Sequence, residues 1–287
     1  MTPPQVKGLP DFGRCAVFAI LNVTPDSFSD GGVNLSAEAA VENGIAALRA
    51  GVDVLDVGGE STRPGALRVG VQEELRRVLP VVEGLVEAGG LVSVDTMRAE
   101  VALRCAKAGA RIVNDVSGGL ADPEMFRTVA DLGLPYILMH WRGHSVDMGS
   151  MARYGDVVRE VGEELAERLA AAVDAGIERE RIALDPGLGF AKNAEHDWEL
   201  LRGQRRLQRE LGRPLLIGHS RKRFLGALLA DEHGVPRPAA ERDAATLAVA
   251  SVAAARGAWA VRVHAGPAAA DAVRAVAAMG ADEEEAR

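Results

Sequence analysis

The feature that most constrains the fold is a repeated pattern of short apolar runs, each followed by a longer stretch with helical periodicity. Alternation of strand and helix without long polar linkers predicts an α/β protein with a parallel sheet, and eight repeats predict a closed (β/α)8 TIM barrel. An open doubly wound sheet is the competing arrangement. The eight runs are Ala16 to Leu21, Asp53 to Val57, Leu91 to Val94, Arg111 to Val113, Tyr136 to Met139, Arg181 to Leu184, Leu215 to Ile217 and Trp259 to Val263.

The length of the chain fits one barrel. With 287 residues, 48% of them hydrophobic, it can bury a full core as a single domain. We expect an N-terminal extension over residues 1–14, the barrel over residues 15–280 and an acidic disordered tail over residues 281–287, with both ends solvated. Helix starts are predicted at Ser36, before an Ala-rich run, and at Asp122-Pro123.

Charge and cysteine content narrow the possible partners and compartments. A net charge of −8 argues against nucleic acid and membrane surfaces as partners, because both are anionic. The two cysteines, Cys15 and Cys105, have no metal-ligand spacing and are expected to be reduced. The longest Ala-rich stretch, Ala244 to Ala255, falls well short of the roughly 18 apolar residues that span a bilayer. We therefore expect a soluble cytoplasmic protein.

Polar residues follow the apolar runs at the point where each predicted strand ends. In a barrel all these ends converge on one face, so they form the lining of one cavity. Helix capping would explain any single member, but the whole set favours an active site. The residues are Asn22, Gly58-Gly59-Glu60, Asp95, Asn114-Asp115, His140, Asp185, Ser220 and His264.

These residue types suit a heterocycle that carries an anionic group. Asp95, Asn114 and Asp185 offer acceptors and an amide for the edge of an aminopyrimidinone, whose ring N–H and amine are adjacent donors. Cationic donors for phosphate or carboxylate come from Arg63, Lys222, Arg262 and His264. A nucleophile elbow, an HExxH motif and a GxGxxG motif are all missing from the sequence, so covalent, zinc-hydrolase and dinucleotide chemistry are disfavoured. A participating metal would be Mg²⁺.

The chain resembles the dihydropteroate synthases of folate biosynthesis from about Val17 to His264. Any one of the shared motifs is weak, but all of them in order at strand ends are specific. They are LNVTPDSFSDGG from Leu21, DVGGESTRPGA from Asp56, SVDTMRAEVA from Ser93, VNDVSGG from Val113, LMHWRG from Leu138, LDPGLGFAK from Leu184, GHSRKRFLG from Gly218 and VRVH from Val261.

The resemblance implies a reaction. The amine of p-aminobenzoate would displace pyrophosphate from 6-hydroxymethyl-7,8-dihydropterin pyrophosphate to give 7,8-dihydropteroate. It also implies roles for particular residues, with Asn22 as the Mg²⁺ ligand and Thr62 as a substrate contact. Pterin contacts would be Asp95, Asn114, Met139, Asp185 and Lys222; pyrophosphate contacts Arg63, Arg262 and His264; and the p-aminobenzoate pocket Phe28, Pro64, Phe190 and the helix start after Lys222. The residues expected to take part in catalysis are Thr62, Arg63, Asp95, Lys222, Arg262 and His264.

Four positions depart from the family pattern. Ala265-Gly266 replaces the usual Asp-Val after His264, Arg223 stands where Ser is common, and His219 replaces a small residue. Two alternatives remain open: a methyltetrahydrofolate:corrinoid methyltransferase, which should lack the loop motifs, and a non-catalytic pterin-binding paralogue. The resemblance also implies a homodimer, for which the Ala244 to Ala255 helix is the candidate contact.

Overall fold

The computed structural model describes residues 5–23, 37–61, 68–143 and 151–280. Within these ranges each strand is followed by one or two α-helices, and all the strand pairs are parallel. The elements are β1 (Ala16–Asn22), α1 (Ala37–Arg49), β2 (Val54–Gly58), α2 (Val71–Glu87), β3 (Val92–Asp95), α3 (Ala99–Lys107), β4 (Ile112–Asp115), α4 (Met125–Leu132), β5 (Tyr136–Met139), α5 (Val157–Asp174), β6 (Ile182–Asp185), α6 (Ala194–Arg202), α7 (Gln204–Leu211), β7 (Leu216–Ile217), α8 (Arg223–Leu228), α9 (Asp243–Ala255), β8 (Ala260–Val263) and α10 (Gly266–Gly280).

The sheet closes on itself. Its strand order is β6-β5-β4-β3-β2-β1-β8-β7, and a parallel bridge between Leu184 and Leu215 joins the two ends. This confirms the predicted (β/α)8 barrel over the open sheet. The eight predicted strands are present, and five of them extend beyond their predicted ends, four by one residue and β4 by two. The added residues are Asn22, Gly58, Asp95, Asn114-Asp115 and Asp185. The polar residues at these strand ends are therefore held by the sheet itself.

Alternate residues of the strands fill the barrel interior, where Phe18, Ile112 and Ile137 pack with Trp259. The Phe18 and Trp259 rings meet edge to face, with centroids 5.5 Å apart. The opposite faces of the strands pack against the helices in a continuous aliphatic layer. Both cysteines are buried and free, as expected, and burial raises the pKa of each thiol to about 12.

The expectation of a solvated N-terminal extension holds only in part for residues 5–14, because several of them pack against the barrel. Val6 is only 3% exposed, and Leu9 and Phe12 pack with it against the interior cluster that contains Phe18. The Lys7 amide donates to the Glu180 carbonyl at 2.9 Å. The segment covers apolar surface that would otherwise face water, which is the physical reason for its order. The acidic tail, residues 281–287, lies outside the described residues.

Two smaller points concern helices. The helix predicted from Asp122-Pro123 begins at Met125. Asp122 lies in the turn before it, where its carboxylate accepts from the backbone amide of Glu124 and from that of Ala99 at the start of α3. In the parts of the chain that the structure describes, no helix is long and apolar enough to cross a bilayer. The start predicted at Ser36 lies outside the described residues.

Candidate active site

An arginine from the last strand joins two carboxylates from neighbouring strands. The Arg262 guanidinium on β8 forms ion pairs with Asp56 on β2, through Nε, and with Asp95 on β3, through Nη2. The Asn114 amide on β4 donates to the same Asp56 oxygen at 2.9 Å. Side chains from four strands are thereby linked in one buried network.

Burial dominates the electrostatics of this network. It raises the pKa of Asp95 to about 7, even though Arg262 acts in the opposite direction, and the Asp56 charge raises it further. Burial lowers the pKa of Arg262, but Asp56 and Asp95 outweigh it and the net shift is upward. Asp95 is therefore close to its titration point near neutral pH, while the guanidinium stays charged.

A carboxylate and an ammonium lie near each other on the opposite side of the rim, which is the ring formed by the carboxyl ends of the strands. Asp185 at the end of β6 accepts from the Gly187 amide at 2.7 Å. Its other oxygen approaches Gly218, where a β-carbon would lie 3.1 Å from it. Burial lowers the pKa of Lys222 to about 8 although Asp185 and nearby Asp197 favour the charged form. Burial raises the pKa of Asp185, which the Lys222 charge counteracts.

The loop after β6 holds the Lys222 ammonium. It donates to the Leu188 carbonyl and lies 4.6 Å from the centroid of the Phe190 ring. Gly187 and Gly189 adopt φ values of +67° and +75°, which side chains rarely adopt, and a β-carbon on Gly189 would lie 3.0 Å from Lys222 Cδ. Glycine lets the loop pass close to the lysine.

An apolar cluster lies beside these charges. Met97, Val116 and Met139 are buried together, and the rings of Trp141 and Phe190 pack against them. Met139 and Phe190 were predicted from the sequence, whereas Met97 and Val116 were not. Each of the two follows a polar strand-end residue by two positions, and this spacing is the signal that could have identified them. Charged edges beside an apolar surface suit a flat heterocycle with polar edges.

Asn22 at the end of β1 belongs to the same rim. A β-carbon on Gly58 would lie 3.7 Å from Asn22 Oδ1 and 3.6 Å from Asp95 Oδ2, so the two side chains converge beside this glycine. An amide oxygen is a ligand that Mg²⁺ accepts, and this ion commonly takes one or two protein oxygens and completes its shell with water and phosphate. The donor chemistry of Asn22 fits such an ion.

His264 is fixed by a neighbouring strand end. The Ser220 hydroxyl lies 3.0 Å from His264 Nδ1 and accepts from the His264 backbone amide at 3.1 Å. The serine therefore holds the imidazole in a sequence that lacks the usual Asp after it. Gly266 has a packing reason, because a β-carbon there would lie 2.8 Å from Val52 and 2.9 Å from Ala19.

Comparisons with known proteins agree with this geometry. The family model for pterin binding enzymes matches residues 18–264. The dihydropteroate synthase of Mycobacterium leprae is 49% identical over 263 residues, which cover 91% of this chain and 92% of that protein. The chain belongs to the dihydropteroate synthase family.

Solved structures of this family have the same fold. The Xanthomonas albilineans dihydropteroate synthase with 4-aminobenzoic acid superimposes with a TM-score of 0.88 and 44% identity, covering 98% of this chain and 99% of that one. The same enzyme in complex with 7,8-dihydropteroate gives a TM-score of 0.84 and 41% identity, with 97% and 99% covered. The resemblance inferred from the motifs is confirmed, and the protein is a transferase.

Several residues expected from the dihydropteroate synthase motifs fall outside the described residues: Phe28, Thr62, Arg63 and Pro64. The described residues on either side of the last three are joined by Arg98, whose guanidinium pairs with Glu60 and donates to the Val69 carbonyl. Arg223 lies exposed at the start of α8.

Not every polar strand-end residue lies on the rim. The Asp115 carboxylate is fully buried and accepts from Ser117, Gly119 and the Tyr136 hydroxyl, so its role is structural. His219 is buried, with its ring nitrogens 3.2 and 2.9 Å from the carbonyl oxygens of Ile217 and Thr246, which favours a structural role. His140 points away from the rim toward Glu164 on α5.

Asp56 was not singled out from the sequence as a site residue. It lies within an apolar strand, where a carboxylate is costly unless a cation accompanies it. That cost is the signal that could have identified it, but its partner Arg262 is 206 residues away in sequence. Arg262 was expected to contact pyrophosphate, but its guanidinium also forms ion pairs with two carboxylates, those of Asp56 and Asp95.

Proposed function

We propose that this protein condenses 6-hydroxymethyl-7,8-dihydropterin pyrophosphate with p-aminobenzoate, releasing pyrophosphate and 7,8-dihydropteroate in folate biosynthesis. The observation that carries the proposal is the convergence of Asp95, Asn114, Asp185 and Lys222 beside Met139 on one rim of the barrel. Acceptors for a pyrimidine edge and an apolar surface for its face are present together.

Residues on both sides of the rim would bind the pterin. Asp185 and Asn114 would hold the pyrimidine edge, since an ionised carboxylate accepts from adjacent N–H donors. Lys222 would donate to a ring acceptor, and Met139 would pack on the ring face. These are binding contacts shared by substrate and product, so their loss should weaken the affinity for both.

Charge stabilisation is the main contribution to catalysis in this proposal. Cleavage of the bond to pyrophosphate can run ahead of attack because the dihydropterin is electron-rich, leaving a cationic methylene carbon. Asp95 and Asp185 favour positive charge on the ring, while His264 and Arg262 Nη1 would face the departing oxygens. An arylamine is already neutral near pH 7, so no strong general base is needed.

The p-aminobenzoate pocket is proposed to lie between the Phe190 ring, Pro64, Phe28 and the start of α8 after Lys222. Phe190 provides an aromatic wall, and the nearby Lys222 ammonium adds positive charge beside a carboxylate ligand. Thr62 and Arg63 would contact the substrates from the loop that follows β2, with Arg63 near the pyrophosphate.

Mg²⁺ is the proposed cofactor and Asn22 its protein ligand. When bound, the ion would neutralise charge on the pyrophosphate. Asn22 Oδ1 would hold the ion, and the Asp95 carboxylate lies close to this oxygen beside Gly58. We expect activity to disappear on chelation and to return when Mg²⁺ is added back.

A cytoplasmic homodimer is also proposed. Thr246, Ala250 and Ala253 of α9 face inward, whereas Val252 on the same helix is 50% exposed. An apolar residue in an Ala-rich surface allows close helix contact. Light scattering should give twice the mass of the chain, and Val252→Lys should shift the protein toward a monomer.

The function is tested by following pyrophosphate release and dihydropteroate formation from the two substrates, with each component omitted in turn. We expect product only when the pterin pyrophosphate, p-aminobenzoate and Mg²⁺ are all present. Tight pterin binding without product would instead indicate a binding paralogue, and methyl transfer from methyltetrahydrofolate would indicate the methyltransferase.

A further inference from the structure

A second buried lysine lies behind the rim, at the end of the loop that follows β6. Lys192 is only 6% exposed, and its ammonium donates to the carbonyls of Gly187 and Phe190, both at 3.0 Å. The third partner is His140 Nδ1 at 2.9 Å. An ammonium has three N–H donors, and these three acceptors match them one for one.

The choice of lysine here is specific. The chain contains 33 basic residues, and all but Lys7, Lys107, Lys192 and Lys222 are arginines. Arginine holds its donors in a rigid plane, whereas an ammonium is compact and its three donors diverge. Two carbonyls and a ring nitrogen around a single atom require the second arrangement.

The histidine that accepts from Lys192 is anchored in turn. Since Nδ1 is the acceptor, the proton of the neutral imidazole lies on Nε2, which donates to Glu164 on α5 at 2.8 Å. Burial, reinforced by the Lys192 charge, lowers the pKa of His140 to about 4, which keeps the ring neutral. Arg142 holds the Glu164 carboxylate from the other side.

The loop fixed in this way is the one that holds Lys222. The Leu188 carbonyl accepts from the Lys222 ammonium, and the Phe190 ring lies beside it. Residues 187–191 include three with positive φ, one of which is Ala191 at +46°, so the loop depends on outside contacts to keep its shape. The Asp197 carboxylate provides another such contact by accepting from the Gly189 amide at 2.7 Å.

We propose that Lys192 is a positioning residue for the reaction: through the Gly187 and Phe190 carbonyls it sets the loop that places the Lys222 ammonium and the Phe190 ring. Lys192 acts through these groups and does not touch substrate. The inference rests on the proposed function, because Phe190 and the region after Lys222 are assigned there to the p-aminobenzoate pocket.

The test compares Lys192→Met with Lys107→Met, an exposed lysine on α3 that serves as the matched control. We expect Lys192→Met to raise the KM for p-aminobenzoate about tenfold or more and to lower kcat, because small displacements of positioning groups cost one to two orders of magnitude. The KM for the pterin pyrophosphate should rise by a smaller factor than that for p-aminobenzoate, because Lys222 is only one of the proposed pterin contacts and Asp95 and Asn114 lie on strands away from the loop.

A double-mutant comparison of Lys192 with Phe190 distinguishes a positioning role from general destabilisation of the protein. The effect of Lys192→Met on the KM for p-aminobenzoate should largely disappear in a Phe190→Ala background, because the ring that the lysine places is then absent. Equal effects in both backgrounds would overturn the proposal, as would an unchanged KM for p-aminobenzoate in Lys192→Met.

A further variant covers loss of folding. If Lys192→Met has no cooperative unfolding transition, Lys192→Arg should show the same split between the two KM values, and wild-type values there would contradict the proposal. Wild-type protein that forms no dihydropteroate would count against the proposed function itself. If wild type is active and the Lys192 variants have the same KM for p-aminobenzoate, only the positioning role is contradicted.

Discussion

The network of Arg262, Asp56 and Asp95 makes a prediction that can be worked out in detail, using Asp56→Asn. Asp56 is fully buried and its Oδ2 accepts from both Arg262 and Asn114. Its Oδ1 is buried and has no hydrogen-bond partner among the residues that the structure describes. Asparagine keeps the volume but removes the charge and places an amide where one of these oxygens was.

The cost to stability follows from these contacts. Charge-assisted hydrogen bonds contribute about 1.5–3 kcal/mol each and neutral ones about 0.5–1.5 kcal/mol, and the single asparagine oxygen can still accept from both donors but without the negative charge. We therefore expect the free energy of unfolding to fall by about 2–3 kcal/mol. At about 2–4 °C per kcal/mol for a chain of this size class, the Tm should fall by roughly 5–10 °C.

The same substitution should change the pH dependence of activity. Burial and the Asp56 charge raise the pKa of Asp95, while Arg262 lowers it. Without Asp56, Arg262 pairs with Asp95 alone, so the pKa of Asp95 should fall from about 7. The ionised carboxylate is the proposed active form, so activity rises with pH through this pKa, and the rise should move to lower pH by about one unit.

The assay is kcat/KM for the pterin pyrophosphate over about pH 5.5 to 9, together with thermal unfolding. Asp271→Asn on α10 is the matched control, since that side chain is 81% exposed. Asp95→Asn lacks the Asp95 carboxylate and should lower kcat/KM across the whole pH range. If the rise of kcat/KM with pH stays in place or moves to higher pH in Asp56→Asn, the reasoning is refuted.

Three further predictions concern groups around the site. Tyr136→Phe removes the hydroxyl that donates to Asp115 at 2.6 Å, so denaturant titration should show a loss of about 1.5–3 kcal/mol with kcat/KM unchanged; a large loss of activity would contradict the structural role. Ser220→Ala removes one hydrogen bond to the His264 ring and should lower kcat about tenfold, the equivalent of about 1.4 kcal/mol, whereas wild-type kcat would show that the serine does not position the ring. Gly187→Ala would place a β-carbon 2.3 Å from the His140 carbonyl oxygen at a φ of +67°, so unfolding experiments should show a loss above about 2 kcal/mol, and a smaller loss would mean that the loop can relax.

The fold could be predicted from the sequence because each strand and helix has a local pattern. Apolar runs such as Tyr136–Met139 carry their own signal, and eight of them in alternation with helices leave few architectures. The order of residues 5–14 could not be predicted in this way. Val6 and Phe12 are too few to form a periodic pattern, and their packing depends on the open end of the finished barrel.

The candidate site was predictable where polar residues end a strand. Asp95, Asn114 and Asp185 were found because the parallel topology brings strand ends together. The partners of these residues were not found, because contacts across a barrel join residues far apart in sequence. Arg262 was expected as a cation for pyrophosphate, and its pairing with Asp56 depends on the register of β8 and β1 beside β2.

Lys192 and the buried histidines illustrate a different limit. His140 follows its strand just as Asp185 does, so sequence position alone does not distinguish them. Their directions differ because Asp185 accepts from Gly187 at the rim, whereas His140 lies between Lys192 and Glu164 behind it. Such distinctions depend on which way a strand end turns, and they appear only in three dimensions.

The central claim is that carboxylates gathered on one rim of the barrel bind a pterin, and its most direct test is the affinity for 7,8-dihydropteroate. Calorimetry should give a Kd for Asp185→Asn about ten to a hundred times that of wild type, the equivalent of about 1.5–3 kcal/mol for a hydrogen bond to a charged group, with Asp271→Asn unchanged. Wild-type affinity in Asp185→Asn, with the fold intact by circular dichroism, would contradict the account.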